Sequence, residues 1–226
     1  MQLAKAFYDV GLFSNQSAAQ KQFWQERVGL PFDHSLKLGG GVLQHRHQAG
    51  DAVLKLNDAR DPLPNAEHNS IDELLVAIPT QNGPELLTDP DGNRIRLVPE
   101  GYRGIQGLAV QLKVVDVART ESFYCGVLGM QRVEDGLLSC GDTRLLLISG
   151  ASSVDIDAPL AATGLRYITL QVFDCDATYA SALRAGATSG REPVTLGSTA
   201  RICFIRDPDG TWIELSERAS VTGKAV

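Results

Sequence analysis

The feature that most constrains the fold of this chain is an internal sequence repeat. The segment at 23–30, FWQERVGL, matches the segment at 123–130, FYCGVLGM, without a gap and at an offset of 100 residues. A second repeat relates Asp89–Gly92 to Asp207–Gly210, since both read DPDG and both lead into an alternating apolar run. Asp at the first position, Pro at the second and Gly at the fourth fit a type I turn, so we predict a hairpin turn at both places.

A third repeat relates LKVVD at 112–116 to LQVFD at 170–174. Together the three spacings predict four copies of one unit, each beginning with a strand that contains AFYDVGLF, LLVAIP, LAVQLKVV or YITLQVF. In three copies we expect a helix to follow, because side chains suited to N-caps stand at Ser14–Ser17, Asp116 and Asp174–Asp176. Short strands then close each unit, which gives a βαβββ pattern.

The second copy is shorter than the others. Only Thr80–Thr88 separates its first strand from its DPDG turn, so we expect this unit to have lost its helix and one strand. We therefore predict an α+β protein of two tandem modules, residues 1–104 and 105–226, each a pair of units, with the second unit truncated. A length of 226 residues suits one large or two small domains.

Composition excludes several classes of partner. Lys and Arg number 21 against 27 Asp and Glu, a net charge of −6, which argues against a nucleic-acid-binding surface. No apolar run approaches the roughly 20 residues of a membrane span. The four cysteines include no CxxC pair, so neither a disulfide framework nor a zinc–cysteine site is expected. Free thiols favour a reducing compartment, and we predict a cytoplasmic protein. A homodimer and a compact monomer are both compatible with the sequence.

A repeated βαβββ unit that ends in a DPDG turn and a strand resembles the vicinal oxygen chelate superfamily, which includes glyoxalase I, extradiol dioxygenases, fosfomycin-resistance enzymes and bleomycin-resistance proteins. The resemblance implies paired units whose mixed sheets curl around a cavity. In the metalloenzymes of this group, the ligands come from an early position of a unit's first strand and from its last strand. The repeat offsets place the first-strand positions at Asp9, about Glu73, Ala109 and Tyr167, and the last-strand positions at Lys55, Arg96, about Leu146 and Glu214.

No histidine stands at these positions, and two of them hold cations. Lys55 and Arg96 would repel a divalent ion, so we predict no metal cofactor at the usual sites. If these cations face a cavity together with Asn57, they form a pocket for an oxyanionic ligand, with Asp9 and Glu73 as counter-charges or a base. The alternative is that ion pairs such as Lys55–Asp9 and Arg96–Glu73 simply fill a vacated metal site.

His45 and His47 form an H-x-H motif within a predicted strand, so their side chains leave from one face. That spacing is compatible with acid–base work or, with Asp9 or Glu73, with a displaced Fe, Mn or Zn site. The alternative to both functions is a solvated or hydrogen-bonded strand face near Arg46.

In the C-terminal module, Gln111 and Tyr167 are candidates to line a cavity for a small polar or aromatic molecule. Glu214 is the candidate general base there. A hydrogen-bonded cluster of polar core residues is the alternative.

Three functions follow from these patterns. The first is an enzyme that acts on a small oxyanionic substrate by isomerase- or lyase-type acid–base chemistry. Lys55, Asn57 and Arg96 would bind the anion, and His45, His47 or Asp9 would transfer protons. The second is a metal-dependent dioxygenase or glyoxalase with a shifted His45/His47 site. The third is a non-catalytic small-molecule binder of the bleomycin-resistance type, for which the net charge favours cationic ligands.

Overall fold

The computed structural model describes residues 3–65, 70–150 and 158–226, and it contains the four predicted units in chain order. The first unit comprises β1 (Leu3–Ser14), α1 (Ser17–Gln22) with a π-helical turn at Phe23–Arg27, β2 (Phe32–Gly39), β3 (Val42–Ala49) and β4 (Ala52–Ala59). The second comprises β5 (Ile71–Ile78), β6 (Glu85–Thr88) and β7 (Arg94–Pro99), followed by a 3-10 turn at Tyr102–Gly104.

The third unit comprises β8 (Leu108–Val114), α2 (Val117–Gly126), β9 (Gln131–Glu134), β10 (Leu137–Cys140) and β11 (Thr143–Ser149). The fourth comprises β12 (Gly164–Val172), α3 (Cys175–Arg184), β13 (Thr188–Leu196), β14 (Ala200–Arg206), β15 (Trp212–Arg218) and the short α4 (Ala219–Thr222). The α+β class is confirmed, and so is the truncation of the second unit, which has three strands between residues 70 and 99 and no helix there. None of the helices in the described segments has the length and apolar character needed to cross a bilayer.

The strands form two mixed sheets, and their order corrects the predicted pairing of units. The eight-stranded sheet runs β13-β14-β15-β12-β1-β4-β3-β2, and the seven-stranded sheet runs β6-β7-β5-β8-β11-β10-β9. The first unit therefore pairs with the fourth, and the second with the third, instead of each unit pairing with its neighbour in one module. Sequence repeats identify equivalent positions but carry no information on which copies lie side by side. The division at residues 104 and 105 stays a prediction.

Strand register supports the positional equivalence that the repeats predicted. In every unit the last strand pairs in parallel with the first strand. The predicted last-strand residue lies opposite the residue two positions after the predicted first-strand residue. The four pairs are Gly11 with Lys55, Leu75 with Arg96, Gln111 with Leu146, and Thr169 with Glu214. Positions that are equivalent in the sequence repeat are therefore also equivalent in the strand pairing of each unit.

Two capped helices begin where the sequence indicated. The side chain of Asp116 accepts a hydrogen bond from the backbone N–H of Arg119, and Asp174 accepts one from that of Ala177. Such caps satisfy backbone donors that would otherwise lack partners at a helix start. The helix α1 begins without a side-chain cap, and Ser14 Oγ instead accepts from the backbone N–H of Gln16.

The DPDG turns form as predicted, and they also hold helices from other units. Asp89 accepts a hydrogen bond from Gln20 on α1 at 3.0 Å. Asp207 accepts one from the hydroxyl of Tyr124 on α2 at 3.0 Å, and burial raises the pKa of this carboxyl to about 6. Asp209 accepts one from Thr120 at 2.7 Å. These carboxylates join units that belong to different sheets, a role that turn propensity alone did not indicate.

Gly11 allows the ring of Tyr167 to lie against β1. A Cβ added at Gly11 would come within 2.1 Å of that ring, far inside contact distance. We expect Gly11→Ala to lower the free energy of unfolding by about 1–3 kcal/mol, since overpacked sites force side chains off their rotamers.

Denaturant unfolding of the variant measures this effect. Gly126→Ala is the matched control, because open space surrounds Gly126 at the end of α2 and alanine is the better helix former. We expect the control to be neutral or stabilising. Equal unfolding midpoints for Gly11→Ala and the wild type would contradict the close packing of Tyr167.

Candidate functional site

The eight-stranded sheet curls around a cavity of about 790 Å³, which is within the range of small-molecule sites. Its walls come from the first and fourth units. The apolar part of the wall consists of Phe13, Leu36, Leu38, Val42, Leu160, Tyr167, Leu196, Ile202, Phe204 and Trp212. The aromatic rings among them stack in tilted or edge-to-face geometry, with centroids 5.8 Å apart for Tyr167 and Phe204. Such a wall suits an apolar or aromatic ligand body.

A buried lysine lies in the polar part of this wall. Lys55 is 2% exposed, and its Nζ lies 2.7 Å from Thr169 Oγ1, 3.1 Å from Glu214 Oε2 and 3.6 Å from Asp9 Oδ2. An ammonium has three hydrogens, and three oxygens surround this one. Thr169 in turn donates to Glu214 at 2.5 Å, and Asp9 accepts from the backbone N–H of Val53 at 3.1 Å. The cluster is therefore internally satisfied.

Strand alternation brings these groups together. On β4, Lys55 and Asn57 face the cavity. Leu54 and Leu56 alternate with them and pack in the core on the other face of the sheet. The ion pair of Lys55 with Asp9, predicted as one way to fill a vacated metal site, is confirmed.

The electrostatics of Glu214 follow from this contact. Burial by itself disfavours the carboxylate, but the ammonium of Lys55 and the hydroxyl of Thr169 outweigh burial and lower the pKa of Glu214 below its ordinary value. Glu214 is therefore ionised at neutral pH. The opposite holds for the Tyr167 hydroxyl, because burial and then the charge of Glu214 raise its pKa and keep it protonated.

The residues present do not fit the divalent metal that the family resemblance implies. The four equivalent positions of this sheet, Asp9, Lys55, Tyr167 and Glu214, do gather around one point, but the ammonium of Lys55 occupies that point. A divalent ion there would meet a fixed positive charge and only two carboxylates. In the described parts of the chain, no three His, Cys, Asp or Glu side chains are arranged to hold a metal ion.

Asn57 positions Tyr167. Its amide nitrogen donates to the backbone carbonyl of Leu12 at 2.9 Å and to the Tyr167 hydroxyl oxygen at 3.1 Å, and its carbonyl oxygen accepts from Gln44 at 2.9 Å. Asn57 is buried in the wall of the cavity that it lines, and its predicted role in ligand binding stays a prediction.

The prediction that His45 and His47 act in the same pocket as Lys55 is wrong. Gln44 lines the cavity, so the alternation of β3 sends both histidines to the opposite face. There the ring nitrogens of His45 contact Ser35 at 2.8 Å and Asp58 at 3.3 Å, and His47 contacts the side-chain nitrogen of Gln25 at 3.1 Å. The H-x-H motif therefore belongs to the helix-covered side and does not converge with Asp9.

Arg96, Glu73 and Gln111 belong to the seven-stranded sheet, so their predicted convergence with Lys55 or Tyr167 is also wrong. Glu73 is 1% exposed and accepts hydrogen bonds from Arg96 at 2.5 and 2.9 Å, which confirms that predicted ion pair. Gln111 donates to Asp72 at 2.8 Å. The corresponding interior of this sheet is packed with an apolar cluster, consisting of Leu75, Val98, Ile105, Ala109, Leu137 and Leu146.

Sequence reasoning missed Arg218, which lines the cavity. Strand alternation predicts that Thr169 shares a face with Tyr167, and that Ser216 shares a face with Glu214. Extending the second pattern by one more step along β15 was the signal that could have found Arg218.

The fold is that of a protein built from repeated βαβββ units whose sheet encloses a cavity. Comparison with known proteins agrees: the sequence model of the Glyoxalase/Bleomycin resistance protein/Dioxygenase superfamily matches residues 108–215. That segment is just under half of the chain, and its match confirms the resemblance predicted from the repeats. No curated protein sequence matches the chain.

Solved structures show the same fold over nearly the whole chain. Glyoxalase I from Zea mays is 16% identical, with a TM-score of 0.73 over 93% of this chain and 92% of that one. The cppA protein from Streptococcus pneumoniae is 14% identical, with a TM-score of 0.60 over 93% of this chain and 98% of that one. Both likenesses concern the fold alone.

Removing the ammonium should expose the cost of the two buried carboxylates. We expect Lys55→Met to lower the free energy of unfolding by about 3–5 kcal/mol, because it leaves Asp9 and Glu214 uncompensated. Adding Glu214→Gln to this variant should restore part of the loss.

Urea unfolding of the single and double variants measures both effects. Lys113→Met is the control, since Lys113 is half exposed and lies 3.9 Å from Asp72, where about 0–1 kcal/mol is expected. If Lys55→Met unfolds no more easily than the control, the buried cluster does not have the charges assigned to it.

His47 makes the free energy of unfolding sensitive to acid. Burial, then the charges of His45 and Lys21, lowers its pKa from 6.5 to about 4. Between pH 4 and pH 6.5 the unfolded chain binds a proton at His47 that the folded chain does not. The contribution of His47 to the free energy of unfolding is therefore complete above pH 6.5 and decreases as the pH falls toward 4. The loss should be roughly 3 kcal/mol.

Urea unfolding at pH 7, 5.5 and 4.5 tests this term. His47→Leu should flatten the pH dependence, whereas His34→Leu, a change at an exposed histidine, should leave it as in the wild type. An equally steep acid limb in both variants would contradict the assignment to His47.

Proposed function

We propose that this protein binds a small organic anion with an apolar body in the cavity of the eight-stranded sheet, without the metal of its metalloenzyme relatives. The observation that carries the proposal is Lys55, whose ammonium occupies the point where the metal positions meet and contacts the two carboxylates beside it. The cavity is left as an aromatic-walled pocket rather than a metal centre.

The sign of the charge follows from the cavity lining rather than from the whole chain. In the Lys55 cluster one ammonium faces the two carboxylates of Asp9 and Glu214. Three further cations line the pocket, namely Lys37, Arg191 and Arg218. Although the net charge of −6 would favour cationic ligands at the outer surface, local cations with low-dielectric walls favour an anion inside.

Binding is better supported than acid–base catalysis by Lys55. A general acid or base needs a proton that it can exchange with a ligand. The three hydrogens of this ammonium already face Thr169, Glu214 and Asp9. His45 and His47, the other predicted acid–base groups, lie on the far side of the sheet.

A second candidate function rests on Glu214. This carboxylate is ionised and lines the cavity, and both Lys55 and Thr169 contact the same oxygen, Oε2. Its position supports an enzyme of the isomerase or lyase type, in which Glu214 removes a proton from a carbon atom of the substrate.

Two further expectations stay predictions. The four cysteines are free thiols, in agreement with the reducing, cytoplasmic location predicted from their spacing. Whether the protein forms a homodimer is measured by sedimentation of the purified chain.

Calorimetric titration tests the binding function with six probes: benzoate, phenylacetate and 2-naphthoate, and the amide of each. We expect at least one acid to bind and to raise the unfolding temperature, since a ligand that binds only the folded state stabilises it. Ile202→Trp, which fills the cavity wall, should weaken binding about tenfold or more.

Val133→Trp adds the same side chain on an exposed strand and serves as the control. Binding by none of the six probes, or equal binding by Ile202→Trp and the wild type, would overturn the proposal. Deuterium exchange next to the carbonyl of phenylpyruvate, accelerated by the wild type and not by Glu214→Gln, would instead favour the enzyme.

A further inference from the structure

We infer that Arg218 anchors a carboxylate group of the ligand, so that the natural ligand is an organic acid whose apolar body lies along β14. This inference rests on the proposed binding function and adds the chemical class of the charged group and the residue that receives it.

Arg218 is a cation of the cavity wall, and its buried nitrogen has no hydrogen-bond partner among the described residues. It lines the cavity at the end of β15, and its Nε is buried with no partner among the described residues. Lys55 differs in having three oxygens around its ammonium, and Arg46 donates to Gln44 at 3.1 Å and lies 3.9 Å from Asp9. A buried donor without a partner is costly, and a bound acceptor would remove that cost.

The surroundings of Arg218 favour an anion over a neutral acceptor. Burial, then the like charge of Arg46, lowers the pKa of Arg218, and these two effects outweigh the opposing charges of Glu214 and Asp9. Both of those carboxylates already contact Lys55, so neither makes a salt bridge with Arg218. An arginine stays protonated in proteins, so the site keeps its charge. A planar guanidinium fork matches the two oxygens of a carboxylate.

Ser216 supplies a second free group next to this arginine. Its side chain is on the same strand face two residues earlier, its residue is 1% exposed, and its Oγ has no partner among the described residues. Two residues of a strand span about 7 Å, within the reach of an arginine side chain. Ser216 does not itself line the cavity, so the anchoring of the carboxylate rests on Arg218.

Apolar residues run alongside these two polar groups. On the neighbouring strand, Ala200 is opposite Arg218, Ile202 is opposite Ser216, and Phe204 is opposite Glu214. A ligand with its carboxylate at Arg218 would thus place a ring against Ile202 and Phe204, about 7–13 Å along the strand. This arrangement matches an aryl or alkyl acid.

The test compares the tightest-binding acid of the six probes with its own amide by calorimetric titration. The wild type should bind the acid at least about tenfold more tightly, because a hydrogen bond to a charged group outweighs a neutral one. Arg218→Gln should reduce this preference to less than about threefold while binding of the amide stays unchanged. Arg218→Lys should keep part of the preference, since it retains the charge without the fork.

Arg184→Gln, the same substitution at an exposed helix position, is the matched control for handling and fold. If acid and amide bind the wild type equally, or if Arg191→Gln removes the preference and Arg218→Gln does not, the anchor is not Arg218. Those outcomes leave the binding function intact. Failure of both acid and amide to bind the wild type would instead overturn the proposed function itself.

Discussion

The interaction on which the site depends is the contact of one buried ammonium with two buried carboxylates. Lys55 comes from the first unit, and Glu214 comes from the fourth, 159 residues later in the chain. Each carboxylate would carry a desolvation cost of several kcal/mol if it were alone. The lysine therefore links the two units electrostatically as well as defining the polar end of the cavity. It also determines what the cavity cannot do, since a point occupied by an ammonium does not accept a divalent cation.

Much of the fold could be predicted from the repeats, because equivalent sequence positions have equivalent structural positions. The offsets correctly placed Lys55 and Glu214 in the same position of two units, and the parallel registers agree with them. Pairing of the units could not be predicted in this way. All four first strands are similar, and each could pair with any other, so the choice rests on side-chain packing across the sheets.

The candidate site was predicted less well than the fold, and the reason is the period of two along a strand. His45 was singled out for its chemistry, but its neighbour Gln44 is the residue that reaches the cavity. A shift of one residue exchanges the two faces of a strand, and sequence alone does not fix which face is concave. Arg218 was missed because an arginine near the end of a strand resembles an ordinary surface charge. Its buried, unpartnered nitrogen is visible only in three dimensions.

One sheet is built from the second and third units and the other from the first and fourth, and this arrangement has a consequence for folding. The strands of the seven-stranded sheet lie between residues 71 and 149, so that sheet is complete within one continuous stretch of chain. The cavity-bearing sheet needs both ends of the chain, and contacts between distant residues form slowly because a long loop must first close. The seven-stranded sheet can therefore fold during synthesis, and β1 to β4 can pair with one another, while β1 still lacks its second neighbour, β12. The cavity comes into existence only after β15 has left the ribosome.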